Sequence, residues 1–374
     1  MSKLSRPNVG LEEARPFAGM SQVNANAAGV DIGAHEIMVC VNGEGGNQMV
    51  RAFGSYTVDL KAIGKWLREH EVTTVAMEST GVYWIPLFEE LEQEGFYCHL
   101  ISSRSLRRVP GRKSDVLDCQ WIQTLHSYGL LESSFRPEAD LVGLRTMLRH
   151  RAQLIQHRAP HIQHMQKALL QMNIQLSQAL SDMTGITGQK IIRAIVGGER
   201  DPRKLAELRN YRCKKDEVEI AKALTGTWRA EHLFVLKQSL EFYDFYSRQI
   251  ETCDAEIESV YRLIRPEWEE KEAKAIPVNK RHSHSKNGPK EVDVHRHLRR
   301  ICGVDLTAVH GISASLAQTI VIEVGTDMSK FPNEKHFSSW LGLAPKNEIS
   351  GGKILKSRTL QTHNRAGQAV RLAA

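Results

Sequence analysis

The sequence predicts an α/β domain at the N-terminus followed by all-α regions. Up to residue 140, short apolar runs alternate with turn residues and with helical periodicity, in the order βββαβαβ. Two later stretches, 141–172 and 234–264, keep helical spacing with few helix breakers. The chain has 374 residues, of which 41% are hydrophobic, so it has the length for two or three domains with buried cores.

The α/β domain is predicted over residues 27–140, after a flexible N-terminal arm at 1–26. Three strands form a meander, and two helices then alternate with two further strands, which specifies a mixed sheet. The predicted elements are strands near 28–31, 37–41 and 49–53, a helix over 59–70, a strand over 73–77, a helix over 84–94 and a strand over 96–101.

The remainder of the chain divides into an arm, a linker and a C-terminal module. The two long helical stretches predict a helical or coiled-coil arm over 141–275, with a compact, glycine-punctuated helical insert at 184–229. A basic linker is expected at 276–296 and a helical C-terminal domain at 297–374. Within that domain, the sequence LTAVHGISASLAQTIVIEVG predicts a helix-hairpin-helix-like element. Gly311 would leave backbone N–H groups there for a phosphate, although an ordinary helical hairpin explains the pattern equally well.

Positive charge is concentrated in a few segments. The net charge is +7 and the pI about 9.0. Residues 104–113 hold five basic side chains and no acid, 141–181 also hold five and no acid, and 279–300 and 346–374 are rich in Lys and Arg. Because clustered cations neutralise phosphates, nucleic acid is the expected partner. The predicted contacts are Arg104, Arg107, Arg108, Arg112, Lys113, Gly311 and Lys353.

Several classes of protein are excluded by composition. No apolar run approaches the ~18 residues of a membrane helix, so no membrane partner is expected. The first residues contain no apolar core of a secretion signal. The six cysteines form no CxxC pair, which argues against a zinc ribbon or a disulfide framework. A cytoplasmic protein is the expectation.

Four carboxylates fall at the ends of predicted elements. Asp31 ends the first strand, Glu78 ends the fourth, and Asp115 and Asp118 lie one helical turn apart after the fifth. Each of them alone is more simply explained as a surface charge or a helix cap. Together, at an edge where strands end, they would repel one another unless cations hold them, and such oxygen ligands suit Mg²⁺ or Mn²⁺.

Three strings carry a family resemblance: GVDIGAHE, AMESTGVYW and GRKSDVLDCQW. They resemble the DEDD transposases of bacterial insertion sequences, in the insertion sequence one-ten family. The string DMTGITGQKIIRAIVGGERDP resembles its eleven-eleven subgroup. The resemblance implies a RuvC-like, ribonuclease-H fold for the first domain. It also assigns Asp31, Glu78, Asp115 and Asp118 to a catalytic, metal-binding tetrad.

The sequence SGGK at 350–353 is the second candidate for chemistry. Two glycines allow close approach of a phosphate, a serine hydroxyl can attack phosphorus, and Lys353 can supply positive charge. A loop without chemistry is the commoner explanation of such a pattern. The resemblance favours catalysis, because these transposases carry a catalytic serine in a matching GLxP…SGGK motif, at Ser350.

The resemblance implies a DNA transposase or site-specific recombinase. Ser350 would form a transient phosphoserine link, a bridge RNA would guide the choice of DNA, and a homodimer or homotetramer would combine the two sites. The chain ends within a predicted helix, which is the expectation for a C-terminally truncated member. Alternatives are a metal-only nuclease of the Holliday-junction resolvase type and an inactive nucleic-acid-binding remnant. A sugar-kinase or actin-type ATPase would need a second Asp-x-Gly phosphate loop, which is not found.

Overall fold

The computed structural model describes residues 20–43, 47–79, 81–102, 115–136, 138–264, 287–289, 292–359 and 364–374. The chain forms two compact units, Met1–Arg136 and Pro137–Ala374. Each unit has its own hydrophobic cores. Among the described helices, none combines the length and apolar character that crossing a bilayer requires.

The first unit is built on a five-stranded mixed sheet of order β3-β2-β1-β4-β5. β1 pairs antiparallel with β2, and β2 with β3, whereas β1–β4 and β4–β5 are parallel pairs. This confirms the predicted mixed α/β sheet. The strands are β1 Ala27–Ile32, β2 Glu36–Asn42, β3 Gln48–Gly54, β4 Thr74–Glu78 and β5 Tyr97–Ile101.

Helices cover both faces of this sheet. The side chains of β1 alternate between the faces, with Val30 in the main core and Gly29 against a helix on the other side. The main core lies between the sheet and the helices α1, Thr57–Glu69, and α2, Trp84–Gln93. The opposite face is covered by α3, Asp115–Ser127. Alternating burial on β1 therefore fixes which residues face α3.

The second unit begins with a long pair of helices. α4, Ala139–Gln171, and α9, Ala230–Leu263, have 33 and 34 residues, so each is about 50 Å long. They run antiparallel, because Arg151 of α4 contacts Asp254 of α9, and Arg158, further along α4, contacts the earlier Ser247. α4 continues through Pro160, although proline has no N–H to donate within the helix.

An insert of four short helices lies between α4 and α9 in sequence and packs against the C-terminal end of α4 and the N-terminal end of α9. Its helices are α5 Leu176–Ala179, α6 Ile186–Val196, α7 Pro202–Glu207 and α8 Glu217–Ala223. Ile191, Ile192, Ile195 and Leu205 are fully buried there and join a core with the ends of α4 and α9. The Asp201 and Asp216 side chains cap α7 and α8 by accepting backbone N–H bonds. The insert is therefore a folded element with its own core.

The C-terminal part contains helices and one β-hairpin. Its elements are α10 Val294–Cys302, α11 Ala314–Val324, α12 Glu334–Trp340, β6 Pro345–Ser350, β7 Lys353–Thr359 and α13 Arg365–Ala373. The prediction of a purely helical domain was therefore wrong at β6 and β7. Gly351 and Gly352 have φ values of +56° and +78°, and two successive residues of positive φ form the tight turn that joins antiparallel strands.

The segment proposed as a helix-hairpin-helix element has one helix of normal length. Its first half is a single 3₁₀ turn, Leu306–Ala308, and α11 begins after Ser313, whose hydroxyl caps it. Gly311 has φ +84°, and a Cβ there would collide with the carbonyl oxygen of Ala373 in α13. The glycine is therefore required by packing. Phosphate contact at Gly311 stays a prediction.

Candidate active site

Two of the predicted acids lie side by side at one edge of the sheet. β1 and β4 are parallel, and Val30 is in register with Met77. Asp31 and Glu78 each follow these paired residues by one position, so they occupy neighbouring places at the carboxyl ends of the strands. Both are half-buried. By the alternation of β1 and β4, both belong to the face that α3 covers.

α3 approaches this face closely at Gly29. A Cβ on Gly29 would lie 2.7 Å from the Cα of Gln123, and closer still to the backbone of Cys119 and Gln123. Only glycine permits such an approach. Asp118, which is half-buried, immediately precedes Cys119 in the same helix. Because Gly29 has no side chain, the backbone of α3 at Cys119 and Gln123 can pack directly against the strand that carries Asp31.

A pair of buried thiols lies beside Asp31. Cys40 is in register with Gly29 on β2, and Cys40 and Cys119 are fully buried. The pKa of the Cys119 thiol is lowered chiefly by its hydrogen bond with Cys40, while burial and the negative charge of Asp31 act to raise it. The hydrogen bond with Cys119 and burial raise the pKa of Cys40. Asp31 is therefore close enough to the start of α3 to act on it electrostatically.

Gln123 holds α3 in place on the sheet. Its Nε2 donates to the Asn42 Oδ1 at 2.7 Å and lies 3.3 Å from the carbonyl oxygen of Ala27. Gln48 of β3 in turn donates to the Gln123 Oε1 at 2.7 Å. Gln123 is only 2% exposed, so these bonds form in a shielded environment. Sequence reasoning missed this residue, because a lone glutamine in a helix gives no signal of burial.

His126 is a second buried polar contact of α3. Its Nε2 lies 2.9 Å from the hydroxyl of Thr74 on β4, and its ring packs 4.8 Å from that of His99. Burial, and then the neighbouring His99, lowers the pKa of His126 to about 4. The imidazole is therefore neutral near pH 7 and serves as a hydrogen-bonding anchor between α3 and the sheet.

The four predicted acids are placed as follows. Asp31, Glu78 and Asp118 lie on β1, β4 and α3, and Asp115 is the first residue of α3, where only its backbone position is described. Within the described side chains, no three His, Cys, Asp or Glu groups converge on a point that would hold a metal ion. The donor chemistry, all carboxylate oxygen, fits a hard divalent cation. The ligand assignment stays a prediction.

The predicted basic contacts of the first domain lie outside the described residues. Arg104, Arg107, Arg108, Arg112 and Lys113 all fall within 103–114, between β5 and α3. Their role in binding nucleic acid therefore stays a prediction. In sequence, the segment directly precedes α3, which carries Asp115 and Asp118.

Ser350 lies at the tip of the C-terminal hairpin. It is the last residue of β6 and faces Lys353, the first residue of β7, across the turn. Both are exposed, as is every residue of β7. No described side chain forms a hydrogen bond with the Ser350 hydroxyl. A nucleophilic role for Ser350 would require a group from elsewhere to accept its proton.

Two family models match the chain. Residues 28–174 match the DEDD model of the IS110 family, described as a transposase, and residues 304–370 match the model described as the transposase IS116/IS110/IS902 family. The chain therefore contains two regions that are similar to IS110-family transposase models. This confirms the predicted family resemblance, while the subgroup stays a prediction. The first match contains the four acids, and the second contains Gly311, Ser350 and Lys353.

A solved structure of RuvC from Thermus thermophilus is also similar to part of this chain. The likeness covers 29% of this chain and 99% of that one, with 12% sequence identity and a TM-score of 0.22. A TM-score this low establishes neither a shared function nor a shared site. No curated protein sequence matches the chain.

Proposed function

We propose that this protein is a DNA transposase or site-specific recombinase that cuts and rejoins strands with an acidic site and a serine nucleophile. The main support for the proposal is the acidic edge, by which we mean Asp31 and Glu78 at the carboxyl ends of β1 and β4 together with the start of α3. Asp31 and Glu78 lie side by side beneath the helix that bears Asp115 and Asp118, inside a domain matched by a DEDD transposase model. Structural or capping roles would not require the four acids to gather on adjoining elements of one domain.

The four carboxylates would hold one or two divalent cations, Mg²⁺ or Mn²⁺. Such ions supply charge neutralisation at the phosphate and orient the reacting oxygens. The chain's own residues set the position of the ligands. The paired strands place Asp31 beside Glu78, while Gly29, Gln123 and His126 set how closely α3 approaches them.

Ser350 would act as the nucleophile. Its Oγ attacks the phosphorus of a DNA phosphodiester, a P–O bond to the departing strand breaks, and the serine proton passes to a base outside the hairpin. The hydroxyl of a second strand then attacks the phosphoserine, which forms the new phosphodiester and releases Ser350. Lys353, exposed across the turn from Ser350, supports the negative charge that develops on the phosphate oxygens.

The proposed partners are DNA, a bridge RNA and further copies of this chain. Among the described side chains none is hydrogen-bonded to the Ser350 hydroxyl, and we infer that another protomer in a dimer or tetramer completes this site. The net charge of +7 and the basic segments support binding of polyanions, with RNA on the basic parts of the first domain and the arm. Association with the bacterial nucleoid in the cytoplasm would follow from DNA binding.

The proposal is tested by paired substitutions in a joining assay with element-end DNA and the flanking non-coding transcript. Ser350→Ala should abolish both strand joining and the covalent protein–DNA adduct seen on a denaturing gel. Ser357→Ala, which removes an exposed hydroxyl from the same hairpin, is the matched control and should keep both. Full joining by Ser350→Ala would refute the serine mechanism and favour a metal-only nuclease.

Asp115→Asn tests the acidic site in the same assay. It should remove metal-dependent activity, because replacement of a carboxylate by an amide deletes one ligand charge. Asp140→Asn in the first turn of α4 makes the same chemical change at an exposed position and should leave activity unchanged. If neither Ser350→Ala nor Asp115→Asn altered the reaction, the protein would be a binding protein only.

A further inference from the structure

The insert, over its predicted bounds, also carries a net positive charge. Residues 184–229 contain 11 Lys or Arg and 6 Asp or Glu, a net charge of +5, against +7 for the entire chain. The nucleic-acid contacts predicted from sequence all lie elsewhere. A folded element with such an excess at one end of a long helical pair has the charge needed to bind a polyanion.

A surface cavity of about 540 Å³ lies where the insert meets the arm. Arg151, Arg158, Arg193 and Arg248 line it, together with three carboxylates. Two of these arginines are already neutralised. Arg151 forms a buried pair with Asp254, and Arg193 donates to Asp244 from Nη1 at 2.7 Å. Arg158 and Arg248 then remain with one further lining carboxylate, Glu251, so the lining keeps one net positive charge.

Arg158 and Arg248 have no carboxylate partner among the described residues. Arg158 is held in position by the Ser247 hydroxyl at 3.3 Å and the Asn287 Oδ1 at 3.1 Å, and its guanidinium lies 5.5 Å from the ring centre of Tyr243. Arg248 is exposed. A guanidinium fixed by neutral groups retains its full charge and several donors, which is the arrangement that binds a phosphate.

Two further donors line the same cavity. α6, with 11 residues, begins at its wall, and its N-cap Gly185 provides no side-chain acceptor for the first N–H groups. The Nε2 of Gln189 in that helix is buried and has no hydrogen-bond partner within the described parts of the chain.

A second basic cavity continues on the other side of the α6 N-terminus. It measures about 500 Å³ and shares Gly185 and Ile186 with the first. Arg212, Lys214 and Lys215 line it, with Asp182 as its acid, and Lys215 is paired with Glu219 at 2.7 Å. Adjacent cationic cavities suit a polymer that repeats its phosphates, more than a small anion that would fill one of them.

We propose that these two cavities bind phosphates of a nucleic-acid backbone, with Arg158 of α4 and Arg248 of α9 as the contacts of the larger cavity. The inference rests on the proposed function for its class of partner. It adds a nucleic-acid contact surface where the insert meets the arm, separate from the acidic edge and from Ser350. The ligand chemistry, a phosphodiester, is common to the element's DNA and to an RNA.

The test compares two double variants with equal changes of charge. Arg158→Gln/Arg248→Gln removes the two unpaired cations of the cavity. Arg203→Gln/Lys204→Gln removes two exposed cations of α7 that line neither cavity. Binding is measured in EDTA, across a series of salt concentrations, to a fluorescent DNA duplex of the element end and to a fluorescent transcript of its non-coding flank. Arg248→Gln alone, at an exposed position, separates loss of contact from loss of folding.

The cavity variant should bind at least one probe about 10-fold more weakly, with the slope of log K against log salt reduced by about 2. Arg248→Gln should reduce it by about 1, and the α7 variant should stay within about 2-fold of wild type. The probe that loses affinity identifies DNA or RNA as the ligand. Equal losses in both double variants, or no loss in either, would overturn the inference and leave the proposed function intact. Failure of the wild-type protein to bind either probe would overturn both.

Discussion

Gly29 is the residue of β1 against which α3 rests, and its replacement by alanine perturbs the approach of that helix to the acidic edge. The added Cβ would lie within 3.0 Å of three backbone atoms of α3, including 2.7 Å from the Cα of Gln123. Backbone atoms cannot rotate away as a side chain can. The helix itself must therefore move, by about 1 Å, to restore ordinary van der Waals contact.

The displacement should affect both stability and catalysis. Overpacking of this kind costs about 1–3 kcal/mol of unfolding free energy. It also stretches the hydrogen bond from Gln123 to Asn42, now 2.7 Å, and moves Asp118 relative to Asp31. A shift of about 1 Å in a catalytic group lowers rates by about 100-fold. We therefore expect Gly29→Ala to lose about 100-fold in metal-dependent DNA cleavage.

The assay is the initial rate of cleavage of element-end DNA, with urea denaturation followed by circular dichroism. Gly143→Ala is the matched control, because Gly143 is an exposed residue of α4 and a Cβ there meets nothing within 4 Å. That variant should be more stable by about 1 kcal/mol, from helix propensity, and cleave at the wild-type rate. A Gly29→Ala protein with wild-type stability and rate would refute the close seating of α3 on β1.

Three further results are expected. The pKa of His126 is lowered to about 4 in the folded state, so between pH 6.5 and 4 the imidazole takes up a proton only in the unfolded chain. The unfolding free energy should therefore fall by up to about 3 kcal/mol as the pH is lowered over this range. His126→Gln should make the urea midpoint less dependent on pH. Asp254→Ala should lower the unfolding free energy by about 3–5 kcal/mol, because it leaves the buried charge of Arg151 without a partner. In the same denaturation measurement, the double change Arg151→Met/Asp254→Leu should recover most of the lost stability. Gly352→Ala introduces a side chain at φ +78°, which costs about 1–2 kcal/mol of backbone strain confined to the hairpin. The rate of strand joining should therefore fall, while the urea midpoint of the whole protein stays constant.

The sheet and its acidic edge were predictable because their signals are local. Period-two apolar runs and glycine turns predicted β1 to β5, and the parallel pairing of β1 with β4 then placed Asp31 next to Glu78. The register of the two strands was not predictable from either one alone. The close approach of α3 at Gly29 also depends on tertiary packing, and a glycine in a buried strand has several possible explanations.

The C-terminal hairpin and the role of Gly311 were not predictable for different reasons. β7 is exposed along its full length, so it shows no alternation of apolar and polar residues that would indicate a strand. Gly351 and Gly352 gave the signal of a tight turn, which was assigned to phosphate binding instead. Gly311 makes room for Ala373, a residue more than sixty positions later, and no local pattern can indicate such a contact.

The folded insert at the end of the helical arm also has a kinetic consequence. α4 and α9 are separated by the segment 172–229, and the entropy lost on closing a loop grows with its length. Because the insert packs around its own buried residues, its folding shortens the length of flexible chain between the end of α4 and the start of α9. We expect the arm to assemble from that end, with its opposite ends, at Leu144 and Ile257, meeting last.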